Sequence, residues 1–395
     1  MRKTLSTAGL VSALLLAAPA LAACTENTDA DASAEGGGDG RSLTVASSAD
    51  ACELSAAEAP AGTLTFDVTN TGNEVTEFYL LGDDGLRIVA EVENIGPNIS
   101  RKLTVNAPAG EYVTACKPGM TGEGIRSAFT VTESDDEVEV SADDQELVSQ
   151  AQANYAAYVQ DQSDQLLVKT REFVELYEAG DQDDAARALY PVARTHWERI
   201  ETVAESFGDL DPMMDAREAD LEPGQEWTGW HRIEKDLWPA RAEKYVALTP
   251  AERTTYAQDL LTNTETLDSR IQELEFTVDQ IANGSRGLLE EVATGKVTGE
   301  EEYWSRTDLW DFQANVDGAK VGYDGVRPLV EQKDPELAEQ LDTRFAELQA
   351  LLDAQRSGDG FVFYDEMSAD EVKALSDAVN ALSEPLSRLT AAVLS

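Results

Sequence analysis

A change of hydrophobic period part-way along the chain restricts its fold more than any single motif. Between residues 42 and 133 apolar and polar residues alternate in short runs, SLTVASS, TLTFDVTN, TEFYLLG, LRIVAEVE, SRKLTVNA, GEYVTACK and SAFTVT, divided by Gly, Pro, Asn and Asp. Period two belongs to a strand with one buried face, and about seven such runs in about 90 residues predict a small all-β Greek-key sandwich. Beyond an acidic bridge at residues 134–145 the period lengthens to three and four, as at Leu166, Leu167, Phe173, Val174 and Tyr177. That spacing predicts helices with one apolar stripe, so residues 146–395 are expected to form a larger all-α bundle, arranged as two four-helix halves.

Punctuation divides the helical part. Gly180 ends a first helix, residues 181–208 supply a second, and GQEWTGWHRIEKDLW supplies a third that stops at Pro239. Thr249-Pro250 opens a long fourth helix, because Pro is tolerated where the first N–H groups lack partners anyway. Later helices are expected through DLWDFQAN, from about 334 to 356 and from about 370 to 394. ARTHWERIE at 193 and SRTDLWDFQ at 305 form a faint repeat, each followed by an Asp-Pro helix opening.

Chemistry gathers at Gly229-Trp230-His231-Arg232-Ile233-Glu234, which holds one of only two histidines in 395 residues. Three positions apart on a helix, His231 and Glu234 share a face, about 5–6 Å apart at Cβ, and are placed to bind one metal ion. On a continuous second helix Glu198, Glu201 and Glu205 fall within about 60° of one another, whereas His196 lies on the opposite side. Glu198 is the expected ligand of that face, Glu201 a weaker candidate, and Glu205 a solvated residue. Asp308 and Asp311 offer the same three-residue spacing from another helix, with Asp308 preferred; either has the alternative of capping its helix or pairing with Arg306. The set His231, Glu234, Glu198 and Asp308 is rich in oxygen with one imidazole. Fe3+ suits carboxylates, Fe2+ or Zn2+ tolerates the mixture, and Cu(I) would want sulfur. Trp230, Trp238, Trp304 and Trp310 flank these motifs as packing.

Residues 1–23 carry Arg2 and Lys3, an apolar run from Leu10 to Leu16, and Leu21-Ala22-Ala23 before Cys24. The run is too short to span a bilayer and fits a secretory signal peptide. LAAC also resembles a bacterial lipobox, whose cysteine is lipidated, which predicts a protein tethered outside the cytoplasm. Residues 24–41 are small, polar and acidic, a flexible linker that reaches about 20–25 Å on average. A net charge of −46 excludes nucleic acid as a partner and concentrates cations around the protein. With Cys24 lipidated, Cys52 and Cys116 remain, either as a disulfide or as a soft metal site with Glu77 or Met120. A blue-copper centre needs two histidines beside its cysteine, and no histidine precedes residue 196.

GWHRIEKDLW and SRTDLWDFQANVDG together resemble the EfeO family of periplasmic iron-uptake proteins and their imelysin-like relatives, which carry an HxxE metal motif. The resemblance runs through most of residues 145–395, and the ERIE segment around Glu198 resembles an acidic motif of the same family. It extends more weakly to residues 42–133, which look like the family's cupredoxin-like domain, with Cys116-Lys117-Pro118-Gly119-Met120 at the metal-ligand loop. It implies an iron-binding lipoprotein, not an enzyme, that delivers iron to a membrane iron permease alongside a secreted haem peroxidase. It keeps copper or a second iron at the small domain in view. The imelysin name has also carried a peptidase label, so a metallopeptidase is the alternative, although the usual helical HExxH is absent from the sequence.

Overall fold

A computed structural model describes residues 39–134, 142–221 and 224–395. The expected signal peptide, Cys24 and the greater part of both acidic linkers lie outside the described residues. Strands β1 (Ser42–Ser47), β2 (Cys52–Leu54), β3 (Glu58–Pro60), β4 (Gly62–Asn70), β5 (Thr76–Leu81), β6 (Ile88–Ile95), β7 (Ser100–Ala107), β8 (Gly110–Cys116) and β9 (Ile125–Thr132) build two sheets. One has the order β2-β1-β4-β7 and the other β3-β9-β8-β5-β6. Alternation works as the sequence predicts: Leu64, Phe66 and Val68 of β4 all point inward and are fully buried. Phe66 meets Phe78 and Phe129 with ring centroids 5.2 and 5.7 Å apart, so aromatic packing fills the space between the sheets. Strands β2 and β3 are additions to the seven runs expected; at three residues each they are too short to display a period.

The helical part comprises α1 (Ala142–Ala179), α2 (Asp183–Glu198), α3 (Glu201–Glu205), α4 (Asp211–Met214), α5 (Gly229–Leu237), α6 (Pro250–Ile271), α7 (Val278–Thr294), α8 (Asp308–Lys333), α9 (Pro335–Asp353), α10 (Ala369–Leu386) and α11 (Leu389–Leu394). Between α9 and α10 a small hairpin joins β10 (Arg356–Ser357) to β11 (Gly360–Phe361). Thr249 and Glu252 close a capping box at the start of α6, with Pro250 in the first turn. Trp230 of α5 sits among Phe173 and Tyr190, at 5.3 and 5.8 Å, which fixes this short helix in the core. Burial of each such side chain contributes about 1.5–3 kcal/mol. Among the described residues no helix is long and apolar enough to cross a membrane.

One expectation about the helices is corrected. The segment 181–208 is not one helix: it breaks at Arg199–Ile200, where Ile200 has φ −128° and ψ 16°. The break frees the carbonyl of Glu198, and the buried Asn315 of α8 supplies its hydrogen bond at 2.7 Å. A buried backbone acceptor would otherwise go unpaired, so α8 and the break specify each other.

Sandwich and helices meet along α7. Arg286 donates to the carbonyls of Glu91 at 2.6 Å and Lys102 at 3.4 Å, Asn283 donates to Thr104 at 3.0 Å, and Asp279 accepts from the N–H of Asn106 at 2.9 Å. Gly208 has φ +75°, and a Cβ there would overlap the carbonyl of Leu86, so glycine permits the β5–β6 turn to lie against the loop after α3.

Candidate metal centre

Helix α5 begins at Gly229, whose φ of +83° and contact with the Met214 carbonyl leave no room for a Cβ. Trp230, Ile233 and Leu237 fill the core, and His231 and Glu234 occupy a second buried face with no exposure at all. Asp236, on the same helix, belongs elsewhere: Arg253 at 2.7 Å and the Tyr177 hydroxyl at 2.8 Å bind it.

Glu234 is fully engaged. Its Oε1 accepts the backbone N–H groups of Trp304 at 2.8 Å and Ser305 at 2.6 Å, while Oε2 lies 3.4 Å from His231 Nδ1. Burial, with Glu302 nearby, pushes its carboxyl up to about 7, against the pull of His231 and the Ser305 N–H. The motif therefore orients the imidazole through Nδ1 and leaves Nε2 for a ligand, the usual division of labour at a metal-binding histidine. Nε2 makes no hydrogen bond and points between Asp215 Oδ1 and Glu301 Oε1, each 3.4 Å away. Asp215, His231 and Glu301 thus present donor atoms within 4.8 Å of one another. Burial and Arg194 oppose a charge on His231, yet Asp215, Glu234 and Glu301 hold the ring well above its ordinary value.

Two other donor groups adjoin this one. His231, Glu234 and Glu302 also converge, but Glu302 is committed to Arg194 at 2.6 Å, Tyr190 at 3.2 Å and the Ser305 hydroxyl at 2.7 Å. Glu198, Glu201, Asp215 and Glu301 form the other, into which Lys296 reaches. Arg194, fully buried, pairs with Glu198 and Asp215 and lies 3.6 Å from Glu301 and from Asp311. Eight buried carboxylates, Glu198, Glu201, Asp215, Glu234, Glu301, Glu302, Asp308 and Asp311, therefore surround two permanent cations and one imidazole. Burial holds Glu198 and Asp311 well above the usual carboxylate range, whereas, against their burial, the cations beside Asp215 and Glu301 hold these two below it, so the pair facing His231 is the one best suited to an added cation. Solvent reaches it by two cavities: one of about 620 Å³, walled by Lys117, Met120 and Arg126 of the sandwich and by Glu201, Asp215 and Glu301, and one of about 500 Å³ bounded by Arg217, His231, Glu301 and Trp304.

The structure brings His231 to Glu234, and Glu198 to Glu201, but separates the two pairs into neighbouring groups. Asp308 opens α8, accepts the Glu302 N–H through Oδ1 at 3.1 Å and joins none of the three groups; burial raises it to about 7. Asp311 faces Arg194, and neither aspartate pairs with Arg306, which donates to the Gly299 carbonyl. His196 bonds Gln162 at 2.9 Å, away from the site. Glu205 is half-buried with Glu93 and Glu291, a correction to the solvated position expected for it. Sequence reasoning missed Asp215, Glu301 and Glu302. The run Glu300-Glu301-Glu302 before Tyr303-Trp304 was the available signal, whereas a lone Asp215 gave none.

In the sandwich Cys52 and Cys116 are joined as a disulfide, with Cα atoms 5.5 Å apart. Glu77 accepts the Tyr79 hydroxyl at 2.6 Å, and Met120 is exposed. Among the described residues no group of three His, Cys or carboxylate donors includes Cys52, Cys116 or Glu77.

Residues 151–389 match the family model described as Imelysin, of the peptidase M75 class. The chain is 36% identical over 344 residues to the proteins named iron uptake system component EfeO from Escherichia coli K12, Shigella flexneri and Escherichia coli O157:H7, covering 86% of this chain and 88% of each relative. The strand-to-helix architecture and the match across both parts agree, and the chain belongs to the EfeO family, with an imelysin domain as its helical part.

Proposed function

We propose that the protein is an extracytoplasmic iron carrier that holds one iron ion between Asp215, His231 Nε2 and Glu301 and hands it to an iron permease in the membrane. The observation that carries this reading is the fully buried Nε2 of His231, which makes no hydrogen bond and is aimed between two carboxylates that line solvent-accessible cavities, so that a metal ion entering there takes the place of its proton. Relatives named as components of an iron uptake system support iron as the cargo. Oxygen-rich donors with one imidazole favour Fe2+ or Fe3+ and tolerate zinc, and the absence of sulfur disfavours Cu(I). Glu198 and Glu201 form the acidic wall behind the ion. In this reading Cys24 carries the lipid anchor, a secreted haem peroxidase works upstream, and the permease collects the cargo.

A metallopeptidase would need a free general base beside a metal-bound water. Glu234, the motif's carboxylate, has both oxygens occupied by Trp304, Ser305 and His231, which supports carriage over hydrolysis. Calorimetric titration with ferrous and ferric iron tests the reading. His231→Ala is expected to weaken binding at least tenfold, about 1.4 kcal/mol, and His196→Ala to leave it unchanged. Equal affinities in the two variants, or peptide cleavage that His231→Ala abolishes, would overturn it.

A further inference from the structure

The carboxylate core holds more donor atoms than one ion uses. Glu198, Glu201, Asp215 and Glu301 present oxygens within 4.8 Å of one another, and this group shares Asp215 and Glu301 with the His231 group. The two groups therefore adjoin through a shared pair of carboxylates. Lys296 reaches into the group that holds Glu198 and Glu201. Lys296, in the 3-10 turn Lys296–Thr298 after α7, is 1% exposed, and its Nζ lies 3.0 Å from both oxygens of Glu201 and 3.1 Å from Glu198 Oε2. The two contacts to Glu201 are hydrogen bonds, and the contact to Glu198 is an ion pair. Glu301 Oε1, on the His231 side, is 4.0 Å away.

The surroundings hold the ammonium there. Asn315 donates to Glu201 Oε2 at 2.9 Å and Glu198 Oε2 at 3.2 Å, and Arg194 pairs with Glu198 from the other side, so these carboxylates are fixed before any ion arrives. An ammonium at 3.0 Å and a divalent ion at about 2.0–2.2 Å ask for the same oxygens with a small inward movement. A lysine tethered by its own backbone never dissociates, and its charge repels a second ion from the shared Asp215 and Glu301.

We infer that Lys296 is a built-in cation occupying the second of two adjacent cation positions, and that it thereby limits the protein to one iron ion. The inference rests on the iron-carrier reading above. It also gives the carrier a folded empty state, since Glu198 and Glu201 stay paired when the cargo has left. Without Lys296 the group Glu198, Glu201, Asp215 and Glu301 becomes a second site for a divalent cation.

Anaerobic equilibrium dialysis of the full chain against Fe2+, with bound iron counted, tests this. Wild type and Lys296→Arg, which keeps the charge, are expected to bind one equivalent, and Lys296→Met two. One equivalent bound by Lys296→Met overturns the inference while leaving the carrier reading intact, and no iron bound by wild type overturns the carrier reading itself. Should Lys296→Met fail to fold without metal, refolding in Fe2+ is expected to recover it with two equivalents. Failure to recover would count against the second site, because a divalent ion there supplies the charge the lysine removed.

Discussion

His231 and His196 differ in what their rings face, and that difference separates a ligand from a packed side chain. His196 bonds Gln162, and burial beside Arg199 pushes its ring down to about 4, so it stays neutral and structural. His231 is held by Glu234 through one nitrogen and offers the other to Asp215 and Glu301. The carboxylates divide similarly. Glu301, drawn well below the usual carboxylate range by Lys296 and His231 despite its burial, is ionised and faces both cavities. Asp308 is bound to a backbone N–H and lines neither. Glu301→Gln is therefore expected to weaken iron binding at least tenfold and Asp308→Asn less than threefold, as read by competition with a chelator. The reverse order would move the centre to α8.

At the scale of elements, the centre is assembled by irregular joints. The Arg199–Ile200 break places Glu198 and Glu201 around Lys296, which an unbroken helix would also do approximately, but only the break presents the Glu198 carbonyl to Asn315. The loop before α8 enters because Glu234 collects its two N–H groups, carrying Glu301 and Glu302 with it. Helix α5 depends on Gly229, where α4 passes in contact. Gly229→Ala is expected to cost about 1–3 kcal/mol from backbone strain alone, plus displacement of the Met214 carbonyl, and to weaken iron binding because His231 lies two residues on. Urea unfolding and iron titration of this variant check both parts; unchanged stability would show that α5 tolerates a shift.

For the molecule as a whole, the sandwich is joined to the helices through α7, and acids gather at that junction. Glu93 of β6, Glu205 of α3 and Glu291 of α7 present oxygens within 4.8 Å of one another, and Glu91 is close by. Burial, reinforced by Glu201, raises Glu291 from 4.5 to about 7, and burial with Glu77 raises Glu91 to about 8. An acid whose folded value exceeds its unfolded one binds more protons when folded, so its stability is full below about 4.5 and is lost as pH rises through about 7. Glu291→Gln removes that loss. The variant is expected to match wild type near pH 5 and to exceed it by about 1–2 kcal/mol at pH 8, after allowance for partial exposure, in metal-free urea titrations. A difference independent of pH would mean that Glu291 is already neutralised by a neighbour.

The change of period at the acidic bridge determined the class of both parts, because burial of one face of a strand or helix is written directly into residue spacing. Gly180, Pro239 and Thr249-Pro250 set helix ends for equally local reasons, and His231 with Glu234 marked the centre because three residues is nearly one helical turn. Asp215, Glu301 and Lys296 could not be found this way. They lie 16 residues before, and 70 and 65 residues after, His231, in a loop, a turn and a 3-10 segment that have no period of their own. Only the packing of α2, α5, α7 and α8 brings them within reach of one ion, and only their distances show which carboxylates a lysine and an arginine have already neutralised.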